Sequence, residues 1–349
     1  MRRHDKQTST DIAWDLLRQA PKAQVALLDD AGRPLLRTVH PVVLDDGVFF
    51  HSASAGQKLQ GVGRPCVFSV DKLWTEVPSY AFGTEHACPA TSIYDSAQAS
   101  GTLQRVVDVA PKARVLQALM RQFQPEGRHR PIDGADGRYR TALQKLEVLG
   151  VVAPDVVGKS AWLQNKSAAA RTKVAHALWQ RGTDDDVATL RAWTRRWPKD
   201  LPHDLQAPQG LQLRLGCAPA LWPQVAAFVD GQYWTQGIAL HHLREAHLSA
   251  SAWVGLVDAH QTLVACARAT CDGRRAWVYD VIVDARRRNQ GLGSWLMQTL
   301  LQHPRVRRCH QVWLGTRTAQ AVYERLGFEA VTPSSTTMRL SWAEGAAAT

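Results

Sequence analysis

Short apolar runs separated by turn signals fill the first 110 positions of the chain. Residues 24–28 and 35–44 are such runs, joined by Asp29-Asp30-Ala31-Gly32, and Asp45-Asp46-Gly47 leads into another at 47–51. Aspartate before glycine between apolar stretches is a hairpin signal, because these residues tolerate the positive φ of a tight turn. Residues 67–70 and 92–107 continue the strand pattern. The period then changes: Val115, Leu116, Leu119 and Phe123 share one face of a helix predicted over 111–123, with Pro111 in its first turn. Ser167 and Thr183 are placed to cap two further helices, the second opening on Asp184, Asp185 and Asp186, where the helix dipole favours acids. The first half therefore reads as a barrel-like sheet with helices appended.

Three prolines and a glycine in the 13 residues 198–210, with no period, mark a linker. Beyond it strands and helices alternate: strand 211–215, helices near 219–230 and 237–247, and strands 253–258, 263–270 and 276–283. Helix 291–302, strand 311–315, helix 318–326 and terminal strands complete an α/β order. The predicted division is a flexible N-terminus at 1–10, a domain at 11–197, the linker at 198–210 and a second domain at 211–349.

Length supports two domains, since 349 residues exceed the roughly 100–200 of one ordinary domain. The net charge of +11 is spread over both halves, which permits anionic partners without choosing phosphorylated cofactors over nucleic acid. No helix-turn-helix signature or basic recognition helix is visible, so nucleic acid has no motif behind it. Six cysteines form no C-x-x-C pair, and no metal-ligand spacing stands out. A reducing cytoplasm fits best. No run approaches the ~20 apolar residues that span a bilayer, and no apolar signal core follows the charged start.

The most informative stretch runs from Tyr279 to Ser294. A buried strand ends in Arg286-Arg287-Arg288-Asn289-Gln290, and Gly291-Leu292-Gly293-Ser294 opens an amphipathic helix. Such a turn aims several free backbone N–H groups at one spot, at the positive end of the helix dipole. Glycines at 291 and 293 let a pyrophosphate approach the backbone closely. Arg288-x-x-Gly291-x-Gly293 resembles the acetyl-CoA pyrophosphate loop of the GNAT N-acetyltransferases, and the block from Trp313 to Phe328, with Tyr323 and Gly327-Phe328, resembles the Ala-x-x-Tyr-x-x-x-Gly-Phe ending of that fold. With Tyr233-Trp234 and the strand order, the resemblance covers about residues 211–342. It implies an acetyl-CoA site of Ile282, Val283 and Arg288 through Ser294. It also implies that Tyr323 protonates the leaving thiolate and that a backbone donor near Ile282 polarises the thioester. Asp280 is the candidate to bind the cationic amine or take its proton. No cysteine lies in either block, so transfer is expected to be direct. His241, His242 and His247 read as a partly exposed helix surface.

In the first half, Arg37-Thr38-Val39 lie on one predicted strand. The segment Val48 to Leu59 carries His51-Ser52-Ala53 and then Gly56-Gln57-Lys58. Small residues leave room for an anion at a strand end, and Arg37, His51 and Lys58 are suited to charge-assisted bonds with a phosphate. The segment is similar to the FMN-binding hairpin of the pyridoxamine 5′-phosphate oxidase-like split barrels, and Tyr94 to Gly101 is similar to the strand that follows. Gly158-Lys159 with Gln164-Asn165 resembles the Pai-type regulators of that superfamily. The resemblance implies a split β-barrel, a homodimer through the barrel, and FMN on Arg37, Thr38, Val39, His51, Ser52, Ala53, Lys58 and Ser96. Haem is the alternative cofactor.

The whole is expected to be an α+β chain, a split barrel followed by a GNAT α/β fold. Its expected activity is acetyl transfer to a small amine, with polyamines suggested by analogy to the Pai pair. The alternatives are a flavin- or haem-binding sensor that reads acetyl-CoA, or a flavin oxidoreductase.

Overall fold

The computed structural model describes residues 4–45 and 47–331. The terminal strands expected after residue 331 lie outside the described residues. One unit holds the chain up to Ala192 together with Asp200–Pro202; the other holds Trp193–Lys199 and everything from His203.

In the first unit the elements run β1 (Gln7–Thr8), α1 (Thr10–Gln19), β2 (Ala23–Leu28), β3 (Pro34–Val39), β4 (Val42–Leu44) and β5 (Gly47–Ser52). Then come β6 (Pro65–Val77), β7 (Thr91–Thr102), β8 (Gln104–Val106), α2 (Val109–Phe123) and α3 (Gly137–Lys145). Next are β9 (Glu147–Val152), β10 (Asp155–Ala161), α4 (Ala168–Arg181) and α5 (Asp184–Arg196), and the division between the units falls within α5. Six strands in the order β1-β10-β7-β6-β2-β3 and four in the order β4-β5-β9-β8 form two antiparallel sheets. Strict alternation in β2 turns Val25 and Leu27 inward, where they share one core with Phe68, Val70, Ala97 and Ala99 of the large sheet. Val48, Phe50, Leu149 and Val151 of the small sheet join the same core.

The apolar run 35–44 is not one strand. It breaks at His40-Pro41, where proline has no N–H for a ladder, and the chain leaves the edge of the large sheet to start the small one. Ser167 caps α4 by accepting from the N–H of Ala170 at 3.2 Å, and Thr183 accepts from that of Asp186 at 3.2 Å. Asp186, however, is no exposed dipole acid. It is buried, pairs with Arg181 at 2.6 Å, and accepts from the Thr75 hydroxyl at 2.8 Å.

The second unit contains β11 (Gln212–Leu215), α6 (Trp222–Val229), α7 (Leu240–Leu248), β12 (Ala252–Val257) and β13 (Leu263–Cys271). It continues with β14 (Arg275–Val283), α8 (Leu292–Leu301), β15 (Gln311–Trp313) and α9 (Gln320–Glu324). Its five strands lie in sequence order, antiparallel except for β14 beside β15. A parallel pair needs a crossover, and α8 supplies it, with Leu292, Leu296, Met297 and Leu300 buried. Helices α6 and α7 cover the other face through Val225, Val229 and Leu243, against Trp253, Cys266 and Ile282. Among the described residues no helix is long and apolar enough to cross a membrane.

Candidate functional site

Two features of β14 shape the second unit's site. The strand pairs with β15 only over Arg275–Trp277, and from Val278 to Val283 it has no neighbour on that side among the described residues. Its backbone donors there face an open slot. On the other side, Cys266 pairs with Ile282 and Arg268 with Tyr279, so Asp280 and Val281 together oppose Ala267 in a bulge. Asp280 takes the extra turn at φ +52°, a left-handed conformation that aspartate tolerates better than most residues.

The bulge turns the Asp280 side chain inward, into a network drawn from three other elements. Its oxygens accept from Trp234 Nε1 at 2.9 Å and Arg268 Nε at 2.6 Å, and His247 Nε2 lies 3.1 Å from Oδ2. Trp253 Nε1 donates to His247 Nδ1 at 3.1 Å, which places the ring proton on Nε2, close to Asp280 Oδ2 but not aligned for a hydrogen bond. Burial pushes the Asp280 carboxyl up, but His247 and Arg268 more than reverse this and hold it below the usual carboxylate value. Asp280 is thus a buried, fully engaged anion, and the expectation of a carboxylate open to an incoming amine does not describe it. His247 is likewise buried on the apolar side of α7, whereas His241 and His242 are exposed.

The loop after β14 has the predicted turn. Asp284 accepts from the N–H of Arg286, and that pairing holds its pKa at about 2 and engages Arg286. Arg288 Nε donates to the Val283 carbonyl at 3.3 Å. Asn289 and Gly291 take positive φ, and no side chain caps α8 at Gly291. A Cβ on Gly293 would meet only Val283 Cγ2 at an ordinary 3.7 Å, and one on Gly291 nothing within 4 Å. Internal packing therefore does not require glycine at 293; space outside the helix end is what it preserves. Leu292 is buried, so it offers that space only its backbone, and Ile282 is buried beneath α6 and α7.

Tyr323 on α9 is half-buried, packs edge-on to Phe328 at 6.0 Å, and lines a cavity of about 620 Å³ with Trp313, Thr316 and Gln320. Burial, and secondarily Tyr233, push its phenol up, so the hydroxyl stays protonated. The cavity borders the point where the described chain ends.

In the first unit the structure brings Arg37, His51 and Lys58 to one corner. Arg37 Nη2 donates to Gln57 Oε1, beside Lys58. Burial lowers the His51 pKa, and the neighbouring His40 and Lys58 lower it further. Among the described residues none of these three side chains meets a carboxylate at ion-pair distance. The other predicted contacts are less uniform. Thr38 shares its hydroxyl with Gln24, Val39 is in the core, Ser52 is buried and Ala53 exposed. Ser96 sits on β7, with β6 and β2 between it and Arg37 on β3. Gln164 closes its own turn by accepting from the N–H of Trp162 and donating to the Ser160 carbonyl.

Residues 9–160 match the family model for pyridoxamine 5′-phosphate oxidase, and residues 211–328 that for the acetyltransferase (GNAT) family. The chain joins an oxidase-like domain to a GNAT domain. Among solved structures, the flavocytochrome Anf3 from Azotobacter vinelandii is 18% identical over 46% of this chain and 72% of its own, with a TM-score of 0.39. The FAD and haem binding protein from Mycobacterium smegmatis is 22% identical over 45% of this chain and 73% of its own, at 0.37. A protein assigned to the GNAT family from Xanthomonas campestris is 24% identical over 37% of this chain and 94% of its own, at 0.33. No curated protein matches the chain.

The network round Asp280 is what sequence reasoning missed in the GNAT domain. A signal existed: Arg268 interrupts the otherwise apolar run of β13, and a buried cation needs a partner.

Proposed function

We propose that the GNAT domain transfers the acetyl group of acetyl-CoA directly to a small amine, and that the oxidase-like domain holds FMN. The observation that carries the transferase reading is the uncapped, glycine-opened end of α8 beside a strand whose edge is open from Val278 onward. Free N–H groups of Leu292, Gly293 and Ser294 suit a pyrophosphate, and an N–H of β14 near Ile282 suits the thioester carbonyl. The amine nitrogen attacks the carbonyl carbon, the C–N bond forms and the C–S bond breaks. Tyr323 gives its proton to the leaving thiolate and recovers one from solvent, while the amine's surplus proton leaves to water. Asp280 holds the bulge in place instead of taking that proton, since its three partners already stabilise it as an anion.

For the first domain, cations gathered without a carboxylate are the donor set that a phosphate monoester needs. Arg37, Lys58 and His51 would hold the FMN phosphate, and a second copy of the barrel would bring Ser96 to the site. Bound FMN would supply electron transfer. The neutral, exposed His51 ring favours haem as the second reading, and the visible spectrum of the protein separates the two.

The decisive test is Gly293→Asp. The position has room for a side chain, and an acid in the first helical turn favours the helix, so folding should be kept. Calorimetry on the full chain should show acetyl-CoA binding at least about 100-fold weaker, because a carboxylate then occupies the phosphate position. Unchanged affinity removes the transferase reading.

A further inference from the structure

The face of β13–β15 that continues past α6 and α7 is left open by the described residues and is chemically distinctive. Cross-strand pairing sets Trp277 and Tyr279 on that face of β14, with Trp313 beside Trp277 on β15. The two indoles lie nearly parallel, 12° apart with centroids at 6.1 Å, and Trp277 and Tyr279 each keep 39% of their surface in water. Trp234 extends the strip at the bulge end and is 38% exposed. Cations flank it: Arg275 lies 5.0 Å over Trp313 at one end, and Arg317 lies 4.5 Å over Tyr233 at the other. Among the described residues neither has a carboxylate at ion-pair distance. Asp280, beneath the strip, is buried and neutralised by Arg268, and Asp272 is engaged by the N–H groups of Arg274 and Arg275 in its own turn.

Three exposed rings on one strip, with the half-buried Trp313 beside them, call for a flat apolar partner, since each indole or phenol surface left in water is costly. The flanking arginines call for an anion. A polyammonium acceptor would meet these two guanidinium groups, while Asp272 and Asp280 are already engaged. We infer that the acceptor amine of this GNAT domain is carried on an aromatic body that also bears a carboxylate, and that Arg275, Trp277 and Tyr279 select it. This rests on the transferase reading for the location of the acceptor. The cationic surroundings also serve the reaction, because nearby positive charge favours the unprotonated amine, the form that attacks.

The test is calorimetry on the full-length protein with 4-aminobenzoate, phenylalanine and spermidine as probes, with acetyl-CoA binding measured separately. The aromatic acids should bind at least about tenfold more tightly than spermidine. Arg275→Glu should weaken them about tenfold without changing acetyl-CoA affinity, and Trp277→Ala should weaken them independently of charge. Spermidine binding equal to or tighter than the aromatic acids overturns the inference. So does retention of full aromatic-acid affinity in both variants. A wild type that binds the aromatic acids but not acetyl-CoA would retain the inferred ligand class and refute the transferase reading instead.

Discussion

Around Asp280 each charged group has its counterpart within 3.1 Å, whereas Arg37, Lys58 and His51 share a corner with no carboxylate among the described residues. The first arrangement is completed by folding. Its Coulomb and hydrogen-bond energy is spent on holding a left-handed strand residue, so the geometry beside the proposed thioester position exists before any substrate arrives. The second is left uncompensated by folding. On the proposed reading its charges are answered only when an anion enters, so its interaction energy appears on binding and not in the stability of the empty domain. On the proposed reading, one domain is preorganised for chemistry and the other is arranged for capture.

Three measurements would break or sharpen that contrast. The largest effect belongs to the preorganised side. Tyr323→Phe keeps the ring packed on Phe328 and removes the proposed proton donor, so kcat should fall about 10²–10⁴-fold with acetyl-CoA affinity nearly unchanged. Full turnover in this variant would leave Tyr323 a packing residue. Next comes the capture side. Arg37→Ala/Lys58→Ala should weaken FMN more than about a hundredfold, at roughly 1.5–3 kcal/mol per charge-assisted bond, with FMN much preferred to riboflavin in the wild type. The melting temperature of the flavin-free variant should stay level or rise, because self-repulsion is relieved. A marked fall would show that these cations belong to the fold after all.

The smallest effect is acid sensitivity. Folding lowers the Asp280 carboxyl below its ordinary 3.8, so the stability it contributes is complete above that value and is lost as pH falls through the lower, folded one. Urea midpoints of the wild type should therefore decline below about pH 4, and Asp280→Asn should flatten the decline. Equal slopes would mean that the network carries no proton-linked stability.

What the sequence made legible was local. The cap at Ser167 and the glycine-opened start of α8 depend on neighbours a few residues away, and the structure places them where the pattern puts them; in α2 the period holds for the buried Val115 and Leu119 but not for Phe123, which is exposed. Contacts between distant segments were hidden. The run of β9 is apolar enough for strand or helix, and only pairing with β5, about a hundred residues earlier, makes it the middle of a sheet. Asp186 sits in a helix's first turn as expected, yet its burial is decided by Thr75 on β6. His247 follows Leu243 by one helical turn and so belongs to the apolar side of α7, but its partner comes from β14. In the capture corner, side-chain types were readable while their grouping was not: Val39 carries the sequence mark of the strand yet turns into the core, and Ser96 lies three strands from Arg37.

The bulge at Asp280 also changes the parity of β14. Odd-numbered Trp277 and Tyr279 share a face with even-numbered Ile282, because one extra residue shifts the alternation by half a period. The burial pattern nevertheless alternates without a break, since Ala276 and Val278 are covered on the α8 side while Asp280 and Ile282 are covered on the other. β14 is therefore two half-strands in opposite phase. Deleting a single residue there would bring the halves back into step, and either the aromatic strip or Ile282 would then have to point through the wrong side of the sheet.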